Sequence, residues 1–208
     1  MNAIHNIGIA GNIGVGKTTL TEKLSKDLQI EPIYESVIDN PYLLDFYDNM
    51  SRWSFNLQMY FLYTRFASQI KYFGMRKSFI QDRTIYEDKE IFATNLYELG
   101  HMSDRDYKTY CSLFSAMIEF IKQPDLIIYL KANTDTLMSR INNRQRSYEA
   151  EISSEYIHSL NIYYNKWIDK LDPNQVLVIK TDDFNIFKDI ELYENIIESI
   201  KQRLYEKK

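Results

Sequence analysis

Residues 11–18 read Gly-Asn-Ile-Gly-Val-Gly-Lys-Thr, and this octapeptide constrains the fold more than any other stretch of the chain. Gly11, Gly14 and Gly16 let the backbone curl, with positive φ where needed, until successive N–H groups face anionic oxygens. Lys17 supplies a point charge for the β- and γ-phosphates of a nucleoside triphosphate, and the Thr18 hydroxyl can ligate Mg²⁺. Asn12, Ile13, Val15 and Thr19 complete the wrapped segment. The flanks agree. Ile7 and Ile9 alternate as in a strand before the loop, and Thr19 to Leu24 reads as a helix after it. A helix starting there adds its partial positive charge at the phosphates.

Bulk properties bound what surrounds the loop. A chain of 208 residues can bury a substantial core in one domain, and no stretch reads as a linker, so residues 1–208 are expected to form one unit. No segment approaches the ~20 consecutive apolar residues of a membrane span, and Met1 to Asn6 shows no secretory pattern. The lone Cys111 rules out an internal disulfide framework and suits a reducing cytoplasm. His5, His101 and His158 lack metal-ligand spacing. A net charge of −4 argues against a nucleic-acid polymer as partner, which would need a broad basic surface.

Short apolar runs predict strands near residues 5–10, 31–35, 78–82, 126–131 and 175–180, with longer helical segments between them. From 51 to 73, Phe55, Met59, Leu62 and Phe66 recur at helical spacing; from 104 to 122, Tyr107, Tyr110, Phe114, Met117 and Ile121 do the same. The alternation predicts an α/β fold, a five-stranded, mostly parallel sheet with helices on both faces. Ligands then bind outside the carboxyl ends of the strands. Tyr34-Glu35-Ser36 follows the second strand, and Asp82-Arg83-Thr84 ends the third. Asp82 can hold Mg²⁺ directly or through water, and Arg83 can neutralise charge on a transferring phosphoryl group. Asp125 precedes its strand and lies at the wrong end. Arg140, Arg144 and Arg146, at the end of a predicted helix, suit a lid over phosphates spanning about 140–151.

With these residues in view, the chain resembles the deoxynucleoside kinases, the family of bacterial deoxyadenosine and deoxyguanosine kinases and animal deoxycytidine kinase. The resemblance runs from the P-loop to Thr181-Asp182-Asp183-Phe184. It is carried by Glu35, Asn40-Pro41-Tyr42, Tyr47, the RWSFNLQ segment at 52–58 and Arg65. Also part of it are DRTIYED at 82–88, IFATNLYE after it, and the arginine lid with Glu149. It implies that Glu35 is the base for the sugar 5′-hydroxyl, with Arg83 at that hydroxyl and the phosphoryl group and Asp82 near the metal. It implies Tyr47 and Glu149 at the 3′-hydroxyl, Gln58, Arg65 and Asp88 at the base, and Asp183 and Phe184 beside the adenine of ATP. It also implies a homodimer formed through helix packing, with the 104–122 helix as the candidate face, although its apolar stripe reads equally as ordinary core. This chain departs from the family pattern in having Ser36 after Glu35, Gln145 between the lid arginines, and Leu57 where an aromatic often precedes the glutamine.

The chemistry of the residues favours a nucleoside acceptor. A neutral 5′-hydroxyl gains from a positioned carboxylate base, whereas a nucleoside monophosphate presents an oxygen already ionised. The alternative is a thymidylate-type kinase, which also places Asp-Arg after a strand. A GTPase switch would need an Asn-Lys-x-Asp motif after a strand; Asn165 to Asp169 is one residue too long and sits in a helical stretch. The expected reaction is ATP-dependent 5′-phosphorylation of a 2′-deoxynucleoside with Mg²⁺. Arg65 can only donate and Asp88 can only accept, which points to deoxyadenosine first. Because donor and acceptor sites must adjoin, a product-derived deoxynucleoside triphosphate is expected to inhibit by entering both.

Overall fold

The computed structural model describes residues 4–34, 40–146, 149 and 151–205. Five strands form its centre: β1 (Asn6–Gly11), β2 (Glu31–Ile33), β3 (Phe79–Asp82), β4 (Leu126–Lys131) and β5 (Val176–Lys180). They lie in the order β2-β3-β1-β4-β5, and every pairing is parallel. β1 and β3 are buried along their whole length, as apolar runs covered on both faces must be, while β2 and β5 at the edges are partly exposed. The chain passes from β1 to one side of the sheet for β3 and returns to the other side for β4. The carboxyl end of β1 is therefore the point where a crevice opens.

The helices are α1 (Lys17–Leu28), α2 (Leu43–Asp48), α3 (Met50–Gly74), α4 (Ile85–Glu87), α5 (Thr94–Glu98), α6 (Asp104–Ile118), α7 (Thr134–Arg144), α8 (Ser154–Ile168) and α9 (Ile190–Tyr205). A π-helical segment, Asp88–Ala93, joins α4 to α5. Several starts are written in the sequence. The side chains of Asn49, Ser103, Asn133 and Ser153 each accept a backbone N–H in the first turn of α3, α6, α7 and α8. α6 ends at Ile118 rather than near 122. Turns from Met117 and Ile118 to Phe120 and Ile121 close it, and Pro124 keeps the residue before it out of helical geometry.

α3 is buried on two faces for different reasons. Leu62 sits at the centre of a small apolar cluster with Ile85, Tyr110 and Phe114, onto which Phe55, Met59 and Phe66 pack. Its other face is polar: Gln58, Arg65 and Gln69 are each less than a tenth exposed. Buried polar groups must be paired. Gln69 Nε2 donates to Gln81 Oε1 at 2.7 Å, and Gln81 Nε2 to Asn6 Oδ1 at 2.7 Å, an amide ladder from α3 through β3 to β1. Asp125 accepts from the Asn6 N–H at 2.8 Å, at the amino end of β1 and far from the crevice.

Candidate active site

Two of the P-loop glycines are needed for different reasons. Gly11 has φ 149°, and a Cβ there would sit 2.7 Å from the Leu130 carbonyl oxygen, so β4 blocks any side chain. Gly16 has open space around it but φ 101°, left-handed geometry that glycine adopts without strain, where it caps α1. Lys17 opens α1, buried, with its Nζ donating to the Asn12 carbonyl at 3.1 Å. This bond folds the ammonium back over the loop. The Asn12 side chain points away from the loop's hollow: its Nδ2 donates to Ile157 O at 2.9 Å and Asn161 Oδ1 at 2.8 Å on α8.

β3 delivers the next groups. Parallel pairing sets Asp82 level with Ile9, two residues before the loop begins at Gly11. The Thr18 hydroxyl donates to Asp82 Oδ2 at 2.5 Å. Arg83 is buried with φ 73°, an unusual conformation for a side chain of this size. Its N–H donates to Ile9 O at 3.0 Å and its guanidinium lies 4.4 Å from the Phe92 ring centroid.

A cavity of about 550 Å³ joins these groups to the rest of the candidate site. Ile13, Gly14, Gly16, Lys17, Thr18 and Thr19 line its loop end; Tyr47, Gln58 and Asp88 line the opposite end; Asp82 and Arg83 lie between. Arg140, Arg144, Arg146 and Glu149 cover one side. Among the described lining residues, the cations Lys17, Arg83, Arg140, Arg144 and Arg146 outnumber Asp82, Asp88 and Glu149, a balance that suits a polyphosphate. Arg144 Nε donates to Glu149 Oε2 at 2.6 Å, and its Nη2 donates to Glu149 Oε1, while Arg146 stands 3.7 Å from that oxygen. Arg140 donates to Thr181 and, at 3.4 Å, to the Val15 carbonyl, so it also braces the P-loop.

Arg65 stands behind the cavity wall. Its Nε and Nη2 donate to Asp88 Oδ2 and Oδ1 at 2.6 and 3.2 Å, and its Nη1 to the Arg83 carbonyl at 3.2 Å. It orients Asp88, which lines the cavity in its place. Gln58 Oε1 is buried and accepts no hydrogen bond among the described residues. Gly11, Asn12 and Val15 shape the loop without lining the cavity, and neither Asp183 nor Phe184 is among its lining residues; Phe184 packs against the core. Glu35 lies outside the described residues, and Tyr34 before it lines the cavity.

This arrangement unites a triphosphate loop with a pocket that can hydrogen-bond a nucleobase. The deoxynucleoside kinase family model matches residues 7–205. The chain belongs to the deoxynucleoside kinase family. It is 40% identical over 202 residues to the deoxyadenosine/deoxycytidine kinase of Bacillus subtilis, covering 96% of this chain and 93% of that one. It is 36% identical over 210 residues to the deoxyguanosine kinase of Lactobacillus johnsonii, covering 96% and 92%. The structure of a deoxyadenosine kinase from M. mycoides with bound dATP superposes with a TM-score of 0.80 at 32% identity, covering 93% of this chain and 99% of that one. The protein is thus a deoxynucleoside kinase with a P-loop kinase fold, and the matches favour a nucleoside acceptor over the thymidylate-type alternative.

Sequence reasoning missed several residues that this kinase turns toward the cavity: Phe61, Phe92 and Tyr156 line it. Phe92 has Arg83 against its ring and sits four residues after Asp88 on the π-helical segment, which aims both at one space. Helical spacing from Asp88 was the available signal. Tyr156 opens α8, and burial pushes its hydroxyl well above the ordinary range, so it stays protonated as a donor.

Proposed function

We propose that this kinase transfers the γ-phosphoryl group of ATP to the 5′-hydroxyl of a 2′-deoxynucleoside, with deoxyadenosine preferred. The P-loop amides, Lys17 and the lid arginines hold the triphosphate. Glu35 takes the proton of the 5′-hydroxyl as that oxygen attacks in line, and Arg83 meets the charge on the transferring group. Tyr47 and Glu149 hold the 3′-hydroxyl, and the adenine of ATP lies toward Asp183 and Phe184. Thr18 and Asp82 offer a hydroxyl and a carboxylate within 2.5 Å of each other, hard oxygen donors that suit Mg²⁺ alongside phosphates and water. A Mg²⁺ ion held there would neutralise charge on the triphosphate.

The observation that carries the base preference is the buried Gln58 Oε1, an acceptor with no donor among the described residues. Asp88, held by Arg65, is a second acceptor in the same pocket. Two acceptors call for an amino group. Adenine offers its 6-amino group beside N1, which the Gln58 amide can bond bidentately while Asp88 accepts the second amino proton. Cytosine has the same pattern on a smaller ring, whereas guanine O6 and thymine O4 would face oxygen. Phe92 and Phe61 provide aromatic surface for the ring. A deoxynucleoside triphosphate is a further proposed ligand of this cavity, in keeping with the M. mycoides enzyme solved with dATP.

The experiment is to compare kcat/KM for the four deoxynucleosides and their monophosphates with ATP and Mg²⁺. The expected order is deoxyadenosine, then deoxycytidine or deoxyguanosine, with thymidine lower by about two orders of magnitude, as mispaired buried polar groups require. Thymidine as the best substrate would overturn the base reading, and faster turnover of a monophosphate would overturn the acceptor class.

A further inference from the structure

Glu87 is fully buried beneath the site and lines none of the cavity. A buried carboxylate is costly unless it is paired and hydrogen-bonded. Its Oε2 accepts the Thr84 N–H at 2.7 Å. Its Oε1 accepts the Gly11 N–H at 3.2 Å and lies 3.7 Å from Arg83 Nη1. The Tyr164 hydroxyl completes the cluster. It accepts from Arg83 Nη1 at 2.7 Å and stands 2.8 Å from both Glu87 Oε1 and the Gly11 carbonyl, to one of which it gives its proton. Burial pushes this hydroxyl well above its ordinary value, with Arg83 pulling it back, so it keeps that proton.

Four elements meet in this ring: the end of β1, the turn after β3, α4 and α8. Gly11 enters it through both its N–H and its carbonyl, so the first residue of the phosphate loop and the Arg83 guanidinium are tied through one carboxylate and one hydroxyl. Burying a charged pair contributes little net stability against an apolar replacement of the same volume. What it does supply is orientation. An arginine side chain otherwise carries much rotamer entropy, and a group that stabilises a developing charge acts best when fixed beforehand. The left-handed backbone at Arg83 fits the same purpose, since strain of this kind persists only where surroundings hold it.

We propose that Glu87 and Tyr164 are positioning residues that lock Arg83 to the first glycine of the phosphate loop, keeping donor loop and arginine in fixed register. This rests on the assignment of Arg83 to the transferring phosphoryl group.

The test is steady-state kinetics with deoxyadenosine and ATP on full-length Tyr164→Phe, Arg83→Ala and the double variant, with Tm measured for each. Tyr164→Phe preserves the ring that stacks on Tyr129 at 5.7 Å and removes only the hydroxyl. It is expected to lower kcat about 10- to 100-fold with deoxyadenosine KM changed less than about 3-fold, the mark of a misplaced group rather than a lost binding contact. On the Arg83→Ala background the same change is expected to cost less than about 2-fold more, because the group it positions is gone. Glu87→Gln is expected to follow Tyr164→Phe in kcat at whatever stability it retains. If Tyr164→Phe keeps more than about half of kcat while Arg83→Ala is crippled, the positioning inference is wrong and the role of Arg83 stands. Equal losses from Tyr164→Phe with and without Arg83 would likewise overturn it, by sending its effect elsewhere. Full kcat in Arg83→Ala would remove the inference and the assignment beneath it together.

Discussion

At the scale of single residues, each described carboxylate that lines the cavity already has an engagement. Asp82 receives the Thr18 hydroxyl, Asp88 is gripped by Arg65, and Glu149 by Arg144. A proton acceptor for a 5′-hydroxyl must be within hydrogen-bond reach and not already committed to another partner. We propose Glu35, directly after the cavity-lining Tyr34, for that task. Glu35→Gln is therefore expected to lower kcat by roughly 10²–10⁴ while changing deoxynucleoside KM far less, because the amide keeps the shape and loses the basicity. Steady-state kinetics decides it, and retention of more than about a third of kcat would remove Glu35 from the role. The residues whose need is covalent or conformational were legible in the sequence. Gly11 and Gly16 announce themselves because no other side chain fits φ values of 149° and 101° at those points. Tyr164 did not. It is one of 17 tyrosines, and nothing local distinguishes the one that meets Arg83 from those that fill core. Glu87 was hidden in the same way, as a charged residue whose burial depends on partners far away in the chain.

At the scale of elements, strands and long helices were readable because apolar spacing sets them. The π-helical segment was not. Asp88 to Ala93 follows α4 directly, and the extra residue per turn leaves no mark on hydrophobic spacing. The second face of α3 was legible in part. Gln58 and Arg65, seven residues apart, read as one pocket-lining face, but Gln69 looks solvated until β3 is known to cover it. α8 is the element that contributes most to the site without displaying a motif. It supplies Tyr156 to the cavity, and Ile157 and Asn161 to the Asn12 side chain. Asn12 Oδ1 also accepts the Ile13 N–H at 2.7 Å, so one side chain clamps the loop to the helix. Asn12→Ala leaves those partners unsatisfied at about 1–3 kcal/mol. The expected outcome is a lower Tm and an ATP KM raised about 3- to 10-fold, with deoxynucleoside KM nearly unchanged, because only the phosphate loop loosens. ATP and deoxyadenosine titrations on the variant check it. A deoxynucleoside KM that rises as much as that for ATP would mean that the clamp supports the whole cavity.

At the scale of the whole molecule, alternation of strands and helices foretold a parallel sheet, but not its order. That order, with β1 between β3 and β4, puts the phosphate loop next to the turn carrying Asp82 and Arg83 and opposite the lid on α7. Among the described residues, no helix is long and apolar enough to cross a membrane. The consequence of the order is one continuous cavity, lined by Lys17 and the lid arginines as well as by Gln58 and Asp88. In-line transfer needs reacting atoms about 3–3.5 Å apart, so the two substrates must adjoin within it. A deoxynucleoside triphosphate derived from the product can then lie in the cavity reversed, its base on Gln58 and Asp88 and its phosphates on Lys17, Arg83 and the lid. It joins in one molecule contacts that the substrates make separately, so it gains an effective-concentration advantage over either. dATP is expected to inhibit competitively against deoxyadenosine and to be opposed by ATP as well. A matrix of initial rates over both substrates and dATP gives the pattern directly. If raising deoxyadenosine at fixed ATP fails to relieve the inhibition, dATP binds outside this cavity. If deoxyadenosine relieves it and ATP does not, its phosphates lie away from the loop.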